Sequence, residues 1–216
     1  MQQSRQRTRA NYDRLSRWYD LLTGGSEGKI SEAGIALLEL QEGARVLEIG
    51  CGTGKNLVQL AQRVAESGAV TGIDLSRGMV KKAKARLGKS KSFCNVNLTL
   101  GDAVDLPFSA GYFDVIYMAF TLELFNIKEI PKVLDEAWRL LTEGGHLCVI
   151  ALAKTESPSL AERGYIWMHG KFPHFLDCQP IYTRCFVKSH FDIVNHAISS
   201  IWGLPVDTVI AVKRTH

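Results

Sequence analysis

No apolar run in this chain approaches the ~20 residues that a helix needs to span a bilayer, so a helical membrane anchor is not expected. Cysteine is sparse and unpatterned. Cys51, Cys94, Cys148, Cys178 and Cys185 are odd in number, and no two have Cys-x-x-Cys spacing. A disulfide framework and a thiolate metal site are therefore excluded as organising devices, and no metal is expected. Proline is scarce, at 6 residues, and no linker rich in Pro, Gly or Ser divides the 216 residues, so one domain over 1–216 is the expectation. A strong charge of one sign is also missing: 26 Lys+Arg against 22 Asp+Glu leave +4. The densest basic run, Lys81, Lys82, Lys84, Arg86, Lys89 and Lys91, has no interleaved aromatic residue. It reads as a solvated helix face, and no nucleic-acid partner is expected. Met1 to Arg9 is polar and arginine-rich without an apolar segment, so no secretory signal is expected and a cytoplasmic, reduced setting is the default.

What the chain does have is a glycine turn. Val46, Leu47 and Ile49 read as a short buried strand, Gly50, Gly52 and Gly54 follow at alternate positions, and a helix begins near Lys55 or Asn56. Without a Cβ the backbone turns sharply and lets a ligand approach it closely. A dinucleotide fingerprint would need its third glycine where Lys55 stands. A P-loop would need Ser or Thr where Asn56 stands and a glycine where Ile49 stands. Glu48-x-Gly50-x-Gly52-x-Gly54 is what remains.

Around this turn, strands and helices alternate. Leu57, Leu60, Ala61 and Val64 mark a helix, Ala69–Asp74 a strand, and Met79, Val80, Ala83 and Leu87 a helix capped by Ser76. Asn95–Leu100 alternates as an edge strand does, whereas Phe113–Phe120 reads as a central strand buried on both faces. A helix carrying Ile130, Val133, Leu134, Ala137, Trp138 and Leu141 is predicted to close at Gly144-Gly145, ahead of a strand over His146–Leu152. Further helices are expected over 10–22, 29–40 and Pro180–Phe191, and two final strands over Ile193–Ser200 and Val206–Lys213. The alternation predicts a parallel sheet, and the short link between the last two strands makes them antiparallel.

Several motifs now stand in a recognisable order: Glu48-x-Gly-x-Gly-x-Gly, Thr71-Gly-Ile-Asp74-Leu75-Ser76, Gly101-Asp102, Asp105-Leu-Pro-Phe108, Phe113-Asp-Val-Ile116 and Trp138 to Gly145. Over about residues 10–152 the chain resembles the class I S-adenosylmethionine (SAM)-dependent methyltransferases. The resemblance implies a Rossmann-like α/β fold, with a mainly parallel seven-stranded sheet, an antiparallel C-terminal strand and helices on both faces. It implies SAM as cofactor and S-adenosylhomocysteine as product. Asp74 would accept from the ribose hydroxyls, its alternative being a helix-start carboxylate that answers the dipole. Asp102 would accept from the adenine amino group and the Ala103 N–H would meet a ring nitrogen, the alternative being a turn aspartate beside glycine. Glu48 would hold the methionyl ammonium through water or backbone. Gly50, Cys51, Gly52 and Gly54 would lie along the methionyl portion, with Asn56, Leu75, Met79 and Phe120 completing the cofactor site.

The acceptor side is less sharply written. Asn11-Tyr12-Asp13 and Trp18-Tyr19-Asp20 lie seven residues apart on an entry helix within 1–25, which in the family covers the cofactor as a lid. Tyr19 is assigned to the cofactor side and Tyr12 to the substrate side. Thr121 follows the fourth strand, where substrate and methyl meet. Glu123 offers a base there, although a solvated carboxylate on the helix side is the commoner case. Residues 153–190 form a substrate-side insertion carrying Tyr165, His169 and His174 among aromatic and apolar residues with interspersed cations, a composition suited to an apolar substrate or a membrane surface, the alternative being that Trp167, Phe172 and Phe175 simply cap the sheet. Tyr19 and His169 are the catalytic candidates. Within the family the chain looks most like the quinone C-methyltransferase and phospholipid N-methyltransferase group. Met118-Ala-Phe-Thr-Leu-Glu123, however, replaces the Gly-Leu-Arg-Asn type of the quinone enzymes. The expected function is methyl transfer to a small lipophilic acceptor, with peripheral membrane contact. The alternatives are a non-catalytic SAM-binding module, a polar acceptor, or a Rossmann oxidoreductase.

Overall fold

The structure, a computed structural model, describes residues 25–90, 95–171 and 178–214. The first strand, β1 (Arg45–Ile49), pairs in parallel with β2 (Ala69–Asp74) on one side and β4 (Phe113–Ala119) on the other. Beyond β2 lies β3 (Asn95–Leu100), and beyond β4 lies β5 (Leu141–Leu152). The hairpin of β6 (Phe191–Ile201) and β7 (Leu204–Lys213) completes the order β3-β2-β1-β4-β5-β7-β6. Only β7 runs against its neighbours, which is the expected mixed sheet. The alternating strand β3 is at an edge, as its half-polar pattern predicts.

Both faces of the sheet are covered. On one side α1 (Ser26–Leu37) and α2 (Lys55–Val64) pack on Val46, Val70, Tyr117, Cys148 and Ile150. Leu57, Leu60, Ala61 and Val64 of α2 are all fully buried, and each large apolar side chain so buried contributes roughly 1.5–3 kcal/mol. Neighbouring α2 is α3 (Arg77–Leu87), whose first turn is capped by Ser76 Oγ accepting from Met79 N at 3.1 Å. On the opposite face α4 (Ile130–Leu140) and α6 (Thr183–Lys188) cover Leu47, Ile49, Ile116 and Met118. The remaining helix, α5 (Leu160–Lys171), follows β5.

Three expectations shift. The helix placed over 29–40 is α1, three residues earlier at its start. The Tyr117 hydroxyl donates to Ser31 O at 3.0 Å and Gly34 lies close against Ile150, which seats the early turns on the sheet. The chain then leaves the helix through Glu39 at φ 46. Gly144-Gly145 does not close α4, which ends at Leu140. The glycines form an irregularity inside β5, where pairing jumps from Phe113↔Leu141 to Val115↔His146. Gly144 adopts φ 72 there, and a Cβ on Gly145 would lie 2.9 Å from Thr142 O. The helix expected over Pro180–Phe191 is only the six residues of α6. Ile181 instead bridges to Ala153, and Phe191 already belongs to β6.

Candidate functional site

Strand order reverses between β1 and β4. Crossovers from β1 lead towards β3, whereas those from β4 lead towards β5, so the ends of these two strands part and leave a crevice. The glycine turn leaves β1 at this point. Gly50, Gly52 and Gly54 have φ of 73, 50 and 76, which glycine adopts without steric cost. Two of the three are also packed tightly. A Cβ on Gly50 would overlap the Thr121 side chain, and one on Gly54 would lie 2.9 Å from Ala83 Cβ. Above Gly52 no heavy atom of the described residues lies within 4 Å of that position, so among them the backbone is bare there. Gly54 leads directly into α2, whose N-terminal N–H groups lie beside the turn.

Two carboxylates frame the turn. Asp74, at the end of β2, accepts from Gly52 N through Oδ2 and from Ser76 N through Oδ1, both at 2.8 Å. It therefore holds the glycine turn and the α3 entry together. A carboxylate oxygen can accept two hydrogen bonds, so this anchoring is compatible with ribose recognition. Glu48 points to the α2 side of β1 and is 1% exposed. Its Oε1 accepts from Asn56 Nδ2 at 3.0 Å, while Oε2 has no partner. Burial is the main reason its pKa rises to about 8. Asn56 opposes the shift and the charge of Asp74 adds to it. Asn56 is thus turned inward to Glu48, and Cys51 and Met79 are buried. Asp102 begins the turn after β3, where its Oδ1 accepts from Val104 N at 3.3 Å and Ala103 is buried.

The far wall comes from the end of β4. Phe120 sits at φ 52, an uncommon angle for a non-glycine residue, held by its N–H donating to Ile150 O at 2.7 Å. Thr121 follows and fills the space beside Gly50, its hydroxyl donating to Ala119 O at 3.0 Å. A 3₁₀ turn, Leu122–Leu124, then buries Glu123 completely. This overturns the expected solvated carboxylate. The signal lay in the sequence itself, because Leu122, Leu124 and Phe125 make Glu123 a lone acid in an apolar run. Further out, α5 starts with a reciprocal cap: Ser159 N donates to Glu162 Oε2 at 2.8 Å and Glu162 N donates to Ser159 Oγ at 3.2 Å. Tyr165 turns inward and donates to Cys178 O at 2.8 Å, and His169 lies half-buried one turn further on. Leu75 stands half-buried between Asp74 and Ser76. Tyr12, Tyr19 and His174 lie outside the described residues.

A buried carboxyl with one oxygen unanswered, a glycine backbone left bare by the described residues, and an aspartate at the next strand end suit a ligand with an ammonium group and paired hydroxyls. Residues 46–145 match the family described as a methyltransferase domain. The fold and strand order are those of class I SAM-dependent methyltransferase structures. The chain is similar to the demethylmenaquinone methyltransferase of Listeria welshimeri, with 30% identity over 154 residues that make up 71% of this chain and 61% of the relative. The chain thus spans about 61% of the length of that curated relative. Among solved structures it resembles a SAM-dependent methyltransferase from Methanosarcina mazei, with TM-score 0.71 and 20% identity, covering 84% of this chain and 98% of the other. It also resembles the magnesium protoporphyrin IX methyltransferase of Synechocystis with bound S-adenosylhomocysteine, with TM-score 0.67 and 20% identity, covering 88% and 82%. At these identities the structural likeness is one of fold.

Proposed function

We propose that this chain moves the methyl group of SAM to a small lipophilic acceptor of quinone-like or phospholipid-like character, leaving S-adenosylhomocysteine. The observation that carries the reading is the glycine turn over the half-answered Glu48 carboxyl, closed by Asp74. When bound there, SAM supplies a methyl carbon already activated by its sulfonium. The chain's own work is then alignment and exclusion of water. Glu48 holds the ammonium, Gly50, Cys51, Gly52 and Gly54 offer backbone groups to the methionyl portion, and Asp74 accepts from the ribose. Asp102 and the Ala103 N–H read the adenine, while Leu75, Met79 and Phe120 supply apolar cover. Thr121, Tyr165 and His169 belong to the acceptor side.

The lipophilic acceptor is supported from two directions. The Listeria relative is named for demethylmenaquinone. In addition, α5 presents Leu160, Ile166, Trp167 and Met168 outward beside Arg163 and Lys171, with Trp167 64% exposed. An apolar helix face bordered by cations suits a lipid surface carrying anionic head groups. The chain accordingly works in the cytoplasm and at the membrane face, although no helix among the described residues is long and apolar enough to cross a membrane. The test is methyl-labelled SAM with fractionated cell extract. Label in the lipid fraction is the expected result. Label in the aqueous small-molecule pool would select a polar acceptor, and SAM binding without transfer to any fraction would make the chain a binding module.

A further inference from the structure

Two buried carboxyl oxygens among the described residues accept no hydrogen bond, Glu48 Oε2 and Glu123 Oε2. The first belongs to the methyl-donor side. The second stands on the other side of the switch point, in the turn that leaves β4. Thr121, two residues before it, fills the space beside Gly50, so this turn is built directly onto the glycine loop. Glu123 Oε1 accepts from Leu152 N at 3.2 Å, which draws the carboxyl to the end of β5. Its own carbonyl accepts from Gln179 N at 3.3 Å. The carboxyl is therefore fixed at the carboxyl ends of two adjacent parallel strands, where ligands of this sheet type react. Its neighbours Leu122, Leu124, Phe125 and Leu152 are apolar. An acid fixed there without a second partner is destabilising, and buried polar groups are seldom left so. Oε2 is covered by apolar side chains in this structure, so an apolar molecule that displaces this cover meets one unanswered carboxyl oxygen suited to a single hydroxyl.

We propose that Glu123 is the catalytic proton acceptor, its Oε2 taking the hydroxyl proton of a phenol-like acceptor of the hydroquinol class. This rests on the methyl-transfer reading above. The acceptor's O–H bond breaks, its electron pair stays on the acceptor, and an Oε2–H bond forms. The acceptor's pair then forms the bond to the methyl carbon as the carbon–sulfur bond of SAM breaks onto sulfur. If a ring carbon is methylated, its hydrogen returns to oxygen on re-aromatisation, so one proton leaves per methyl transferred in either case. Glu123 passes that proton to water after product departs. Burial, the largest cause, raises its pKa to about 8. The N–H of Leu152 opposes that shift, and the charge of Glu27 in the first turn of α1 adds to it. A base in that range is well matched to a phenolic proton.

The experiment compares wild type with Glu123→Gln and Glu123→Asp. The probes are a short-chain demethylated naphthohydroquinol, kept reduced, and a total lipid extract, each with methyl-labelled SAM. Glutamine preserves the oxygen that accepts from Leu152 N, so the fold and the affinity for S-adenosylhomocysteine are expected to stay at wild-type levels. Turnover should fall roughly a hundredfold or more, and the rise of wild-type kcat towards pH 8 should disappear. Aspartate should restore part of both. A readout independent of turnover is the infrared carbonyl band of a protonated carboxyl. It should appear when the naphthohydroquinol joins the wild-type S-adenosylhomocysteine complex above pH 8, and be missing in Glu123→Gln. Unchanged kcat and pH profile in Glu123→Gln, or equal losses in thermal stability and turnover that aspartate does not restore, would overturn the assignment. Transfer to the lipid extract but not to the naphthohydroquinol would overturn the hydroquinol class, while the variants, compared on the extract, still decide the role of Glu123. No transfer to either would overturn both readings.

Discussion

Asp74 bears two demands at one carboxylate. It ties Gly52 N and Ser76 N together at 2.8 Å, and it is the acceptor assigned to the ribose. Asp74→Ala is therefore expected to weaken SAM binding well over tenfold, because a hydroxyl pair and two N–H groups lose their acceptor at once. Asp74→Asn should fall between, since it retains one carbonyl oxygen. Calorimetry measures this directly, and an unchanged affinity in the alanine variant would remove the ribose role. The position was readable from sequence because the motif fixes a residue type at a strand end. Its second task was not, because backbone partners 2 and 22 residues away come together only when β1 and β2 pair. Glu123 is the opposite case. Residue type alone suggested a solvated acid, whereas its burial follows from the apolar residues around it and from Leu152 across the sheet edge.

At the scale of elements, the loop after β1 and the turn after β4 form one packed unit. Gly50 needs φ 73, and a Cβ there would also lie 2.9 Å from Thr121 Cβ, with the Thr121 hydroxyl and methyl closer still. Gly50→Ala should therefore destabilise the protein by more than the ~1–2 kcal/mol that the left-handed angle alone costs an L-residue. Adding Thr121→Ala, which removes both the hydroxyl and the methyl, should recover only the part due to crowding. Chemical denaturation of the single and double variants separates the two contributions. A single variant as stable as wild type would show that the turn can relax. Periodicity located nearly every strand and helix here, because the i, i+3, i+4 stripes of α2 and α4 and the apolar runs of β1, β4 and β5 answer to burial on a two-faced sheet. Boundaries slipped where tertiary contact overrode local signals. α1 is set by Tyr117 and Ile150, and the paired glycines that resemble a helix stop bend β5 instead.

Across the whole molecule, the sheet places two buried acids at the crevice edge, one from β1 and one from the turn after β4. The pKa of each rises from the ordinary 4.5 to about 8, and burial is the largest cause in both. Between those pH values the folded chain keeps protons that the unfolded chain has released. More protons bound in the native state means that stability falls as pH rises, so these two groups stabilise fully below about 4.5 and lose that contribution by about 8. Other groups titrate over the same range, so the comparison must be between variants. Glu48→Gln and Glu123→Gln should each flatten the decline in unfolding free energy between pH 5 and 8.5, and the double variant should flatten it most. Urea unfolding at a series of pH values, in the absence of SAM, measures the slope. A double variant that declines as steeply as wild type would mean that both carboxyls ionise in the folded protein at ordinary pH. The crevice would then hold two standing negative charges, and Glu123 would meet the acceptor already deprotonated at neutral pH.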